Sequence, residues 1–130
     1  MNDKTKKMLK EQNEEIYNSL QNHFELPTFQ DDIADDEVPS EFNYFLIVYG
    51  DFEPTETKRT LIQECYVVYV CEDNDLVDEQ TIDVISTISN VKGLNFVGTQ
   101  KRRLQKKDQD DYVDQVTIVF NRKVPYECKV

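Results

Sequence analysis

Two apolar runs separated by a short charged stretch constrain this chain more than any other feature: Phe42 to Tyr49 and Leu61 to Glu72. Both are rich in aromatic and β-branched residues, which pack well on a pleated surface. In the second run Ile62, Tyr66, Val68 and Val70 share one parity and Cys65, Val67, Tyr69 and Cys71 the other, so both faces of the strand carry apolar side chains. The first run has the same two-sided character and ends at Gly50, which predicts a central strand covered on both faces. The segment between them, Asp51 to Thr60, is charged and contains Pro54. That composition predicts a bend, and so short a link implies antiparallel pairing.

Helical spacing appears on either side of this pair. Between Asp3 and Phe24, Leu9, Ile16, Leu20 and Phe24 fall on one face, widened by Met8 and Tyr17, until Pro27 stops the pattern. Lysines dominate the first half and glutamates follow, an order that opposes the helix dipole, so packing of the apolar stripe must hold this helix. Val77, Ile82, Ile85 and Ile88, broadened by Val84, predict a second amphipathic helix that Asp75 or Asp78 caps and that Gly93 follows. Two further strands are expected at Leu94 to Leu104 and Tyr112 to Asn121, with Val116, Ile118 and Phe120 facing one way and Val119 the other. The polar stretch Gln105 to Asp111 would join them. The fold class is therefore α+β, a mixed or antiparallel sheet of about four strands packed with two helices in the order α-β-β-α-β-β. A length of 130 residues suits one domain: an N-terminal helix over 1–26, an acidic connector over 28–41 and a β-β-α-β-β body over 42–130.

The connector holds Asp31, Asp32, Asp35, Asp36, Glu37 and Glu41 without a single base, so like-charge repulsion predicts an extended, solvated segment. Net charge is -11, which disfavours nonspecific binding to nucleic acid or to anionic membrane. The first residues lack the apolar core of a signal peptide, and no apolar run approaches a membrane span. Cys65, Cys71 and Cys128 are odd in number and contain no CxxC pair, which fits a reducing compartment better than a disulfide framework.

Residue types that carry chemistry are sparse. His23 is the only histidine and falls at a predicted helix end, without a motif to make it a base or a metal ligand. Gly50, Gly93 and Gly98 are the only glycines, and they form no phosphate-binding loop. The acidic runs lack the glycine and terminal glutamate of a calcium loop. No catalytic residue, cofactor or metal is expected. The exception to the acidic surface is Lys101, Arg102, Arg103, Lys106 and Lys107, at the end of a predicted strand and in the loop after it. Asp108, Asp110, Asp111 and Asp114 follow at once, so a charge-paired protein contact suits this segment better than a DNA contact.

The order of elements resembles that of the tail terminator and tail completion (head-tail joining) proteins of long-tailed bacteriophages. The matching features are the opening helix, the strand FNYFLIVYG (Phe42 to Gly50), the strand LIQECYVVYVCED (Leu61 to Asp73), the helix DEQTIDVISTIS (Asp78 to Ser89), and the closing pair LNFVGTQKRRL and DYVDQVTIVF. The resemblance implies a non-enzymatic subunit of a six-membered ring that closes the tail tube and joins it to the head. Its partners would be further copies of itself, the tail tube protein and head connector proteins. DNA would pass through the ring without specific binding, and the location would be the neck of the virion, with the host cytoplasm during assembly. Copies carrying -11 each would repel unless unlike charges meet. The expectation is that Lys101 to Lys107 of one copy faces Asp31, Asp32, Asp35, Asp36 and Glu37 of the next. The alternative is an acidic DNA mimic that occupies the phosphate-binding surface of another protein.

Overall fold

The computed structural model describes residues 1–31, 33, 42–105 and 112–127. Its elements are α1 (Asp3–Phe24), β1 (Thr28–Gln30), β2 (Asn43–Pro54), β3 (Thr60–Glu72), α2 (Val77–Ser89), β4 (Leu94–Gln105) and β5 (Tyr112–Pro125). The class is α+β as expected, but among the described residues the sheet has five strands, in the order β1-β2-β3-β5-β4. The additional strand, β1, lies at the start of the expected connector and pairs with β2 in parallel, Thr28 with Phe45 and Gln30 with Ile47. All other pairings are antiparallel. β2 is an interior strand, flanked by β1 and β3, and β3 is the middle one of the sheet. The second run has more alternating apolar positions and pairs along its full length with β5.

Alternation decides which side chains meet the helices. Phe45, Ile47, Cys65, Val67, Tyr69, Cys71, Val116, Ile118 and Phe120 point to one face, where they pack with Ile16 and Leu20 of α1 and Val77, Val84 and Ile88 of α2. The Phe45 and Tyr69 rings stack at 5.1 Å between centroids, and Phe24 of α1 meets Phe45 edge-on at 5.4 Å. On the opposite face Tyr44, Leu46, Val48, Tyr66, Val68 and Val119 are half-buried. Among the described residues no helix lies over them, so the cover expected on both faces of β2 comes from helices on one face only within that part of the chain. Within α2, Thr81 is buried and Ile82 is 62% exposed. The α2 stripe thus runs through Val77, Thr81, Val84 and Ile88, at the spacings of four, three and four that one helix face requires. Neither Asp75 nor Asp78 caps α2: Leu76 occupies that position, and its N–H donates to Asn74 Oδ1 at 2.8 Å.

A buried polar cluster fastens α1 to the sheet. Arg122 of β5 is 2% exposed. Its Nε and Nη2 donate to Gln63 Oε1 at 3.0 and 2.8 Å, and its Nη1 donates to Gln12 Oε1 at 3.3 Å and to Asn13 Oδ1 at 2.7 Å. The guanidinium lies 5.1 Å from the centre of the Tyr49 ring, a cation–π arrangement. Gln12 Nε2 donates onward to the Lys92 carbonyl at 3.0 Å, while Gln63 Nε2 donates to the Gly50 carbonyl at 2.9 Å. The latter satisfies the backbone where β2 shifts register between Tyr49 and Phe52. Gly93 closes the cluster, with φ of +94° and room for no side chain, since a Cβ there would stand 2.4 Å from Gln12 Nε2.

These contacts set two expectations for stability. Arg122→Ala strands the amides of Gln12 and Gln63 in the interior and should cost about 2–4 kcal/mol in chemical denaturation. Gly93→Ala should move the midpoint in the same direction. The second expectation concerns alkali. Burial pushes the Tyr49 and Tyr69 hydroxyls from 10.0 up to about 12 and raises the Cys65 and Cys71 thiols above 9.0. These groups lose protons first in the unfolded chain, so the stabilisation is complete below their ordinary values and declines as pH rises through the folded ones. The denaturation midpoint should hold to about pH 8.5 and fall between about pH 9 and 12. A flat profile to pH 11 would show that burial does not perturb them.

Candidate functional site

Of the basic residues identified in the sequence, Lys101, Arg102 and Arg103 fall on β4, which forms one margin of the sheet. Strand alternation divides them. Lys101 pairs with Val116 and Arg103 with Asp114, on the helix-bearing face, whereas Arg102 pairs with Gln115 on the opposite face. Lys101 Nζ lies 2.6 Å from Asp78 Oδ1 at the start of α2. Arg103 grips Asp114 through Nε at 2.9 Å and Nη2 at 3.3 Å, and its guanidinium lies 5.8 Å from the centre of the Tyr112 ring. The Asp114 carboxylate raises the Arg103 pKa further above its ordinary value. Two of the three described cations are thus tethered within the chain, and Arg102 extends to the other side.

Apolar side chains continue this margin. Phe96 is 44%, Val97 53%, Leu104 43% and Tyr112 50% exposed. Val97 lies where β4 shifts register against β5, between Phe96 and Gly98. A strand of 12 residues with one side unpaired among the described residues presents a row of backbone donors and acceptors that another chain can satisfy.

Asp31 directly follows β1, at the other margin, with its N–H bonded to the Ile47 carbonyl at 2.7 Å. Four strand-to-strand steps separate β1 from β4, or about 19 Å at ~4.8 Å each. That exceeds the reach of any side chain, so Asp31 and the β4 cations of one copy do not meet. Asp32, Asp35, Asp36, Glu37, Lys106, Lys107 and Cys128 lie outside the described residues. His23 is exposed near the end of α1, and Cys65 and Cys71 are buried free thiols. Among the described residues no group of three or more His, Cys, Asp or Glu is placed to hold a metal ion.

Sequence reasoning overlooked Asp78 as the partner of Lys101 and the whole Arg122 cluster. A signal for the cluster was present in α1: Leu9 and Ile16 are seven residues apart, and Gln12 and Asn13 fill the helical step between them. A polar pair inside an apolar stripe points to a buried polar counterpart.

No family model matches the chain, and no curated protein matches it. Among solved structures it is similar to a chain from the virion of a native gene transfer agent particle. The TM-score is 0.47 and the sequence identity 14%, over 75% of this chain and 78% of that one.

The Lys101–Asp78 pair is exposed on both sides, whereas the Asp114 carboxylate that Arg103 grips is only 12% exposed. Exposed pairs contribute about 0–1 kcal/mol, so Asp78→Asn should shift the denaturation midpoint by less than about 1 kcal/mol equivalent. A larger loss would assign Lys101 to the scaffold and not to a contact surface.

Proposed function

We propose that the chain is a structural subunit of a phage neck or tail, which forms a six-membered ring that terminates the tail tube and joins it to the head. The observation that carries this reading is the strand order, with cationic β4 at one margin of the sheet and Asp31, the first residue of the acidic run, beside the other margin. Unlike surfaces at opposite ends of a subunit make head-to-tail contacts, and such contacts generate rings when the rotation closes. The order of elements, which resembles tail terminator and tail completion proteins, supports the same reading. Lys101 to Lys107 of one copy would face the acidic run from Asp31 to Glu37 of the next, which offsets the repulsion between copies at -11 each. Tail tube and head connector proteins would adjoin the two faces of the ring. An acidic lumen would let DNA pass without adhering.

The test is reversal of charge at Arg102 and Arg103, both to Glu. Light scattering across a concentration and salt series should show ring-sized particles for the parent and at least a tenfold weaker assembly for the variant. An oligomer mass that the reversal leaves unchanged at every salt concentration counts against the reading. A particle no larger than a dimer that competes with DNA for a DNA-binding protein would replace it with the DNA mimic.

A further inference from the structure

The sheet carries a geometric relation between its two margins that the charge argument does not use. Strand register can be followed straight across it. Thr28 pairs with Phe45, Phe45 with Tyr69, Tyr69 with Val116 and Val116 with Lys101. Gln30 leads in the same way through Ile47, Val67 and Ile118 to Thr99. Hydrogen bonding runs roughly perpendicular to antiparallel strands, so β1 and the Thr99–Lys101 part of β4 lie at the same height along the strand direction.

Polarity matches as well. β1 runs parallel to β2, and the three antiparallel steps from β2 to β4 reverse direction an odd number of times. The two outer strands therefore run in opposite directions. The backbone of β1 is also oriented for a second partner. The Pro27 carbonyl and the Asp31 N–H bond β2, so the alternate residues Thr28 and Gln30 direct their backbone groups away from it.

We infer that β1 of one copy adds to the outer margin of β4 of a second copy, antiparallel, with Thr28 opposite Lys101 and Gln30 opposite Thr99. This rests on the ring reading and specifies its joint. A ring can close only if successive copies are not displaced along its axis, and two margins at equal height meet that condition. Carboxylates bracket β1 on both sides, Glu25 before it and Asp31 after it. In this register Asp31 stands opposite Gly98, three residues or about 10 Å from Lys101 along the strand. In this register the C-terminal end of α1, whose carbonyls carry partial negative charge, would lie toward Arg103 on the helix-bearing face, which Arg102 does not share. The basic segment is thus complementary to what the second copy presents, and the outer side of β4, unpaired over Thr99–Lys101 among the described residues, gains backbone partners.

The joint can be tested by paired cysteines in the full chain. Gln30 and Thr99 would be directly opposed between copies, with Cα atoms about 4.5–5.5 Å apart, a spacing that a disulfide bridges. Within one copy they are at opposite margins and cannot bond. The double variant Gln30→Cys, Thr99→Cys should give dimers and higher multiples on a non-reducing gel after mild oxidation, with most of the chain in covalent multimers. Each single variant, which retains the native cysteines, should give none beyond the parent background. If sedimentation shows oligomers of the double variant but no such ladder forms, the proposed joint is wrong and the ring reading survives. If the chain sediments as a monomer at every concentration and no ladder forms, both fall.

Discussion

The guanidinium of Arg122 is the constraint on which the arrangement of elements depends. Burying a charge is costly, and a carboxylate within hydrogen-bonding distance is the usual remedy. Among the described residues the partners here are neutral: the amides of Gln63, Gln12 and Asn13 and the face of the Tyr49 ring. Amides satisfy the N–H groups without cancelling the charge, so they must be held in register by their own second bonds. Gln12 is held by the Lys92 carbonyl and Gln63 by the Gly50 carbonyl. One side chain thereby fixes α1, the turn before β4, β3, β5 and the irregular part of β2 relative to each other. The tight turn at Gly93 follows from the same demand, because the space that a side chain would take is occupied by the Gln12 amide.

Much of the fold was legible because it rests on periodicity. The bounds of α1, the extent of α2, and the parity split of β3 into Cys65, Val67, Tyr69 and Cys71 against Ile62, Tyr66, Val68 and Val70 follow from spacing alone. What escaped has a physical reason in each case. β1 is three residues long, too short to show a period, and it owes its existence to parallel pairing with β2. The β2 strand runs past Gly50 to Pro54 because its irregularity is repaired from another strand, by Gln63. Ile82 fits the helical spacing only approximately, five residues after Val77, and is exposed, while Thr81 fills that position on the stripe. Its hydroxyl donates to the Val77 carbonyl at 2.7 Å, which satisfies it inside the helix.

The candidate surface was legible as a list of charges but not as an arrangement. A run of three bases reads as one patch in sequence, yet on a strand the middle one, Arg102, points away from its neighbours. Asp114, which holds Arg103, belongs to the acidic run that follows the bases in sequence, but Asp78, which holds Lys101, comes from α2, 23 residues away, and no local pattern announces it. The separation of β4 from β1 is a property of strand order, which hydrophobic spacing does not encode.

The single parallel pairing in this sheet has a consequence beyond its size. Had β1 met β2 as an ordinary hairpin would, both outer strands would point the same way, and copies laid side by side would join through the slanted, weaker parallel pattern. With β1 reversed, the molecule becomes a tile whose left and right borders mate like successive strands of one fabric. Nothing in such a border counts copies. Whether a row of these tiles bends into a closed hoop, and how many it takes, is left to the sheet's own curvature.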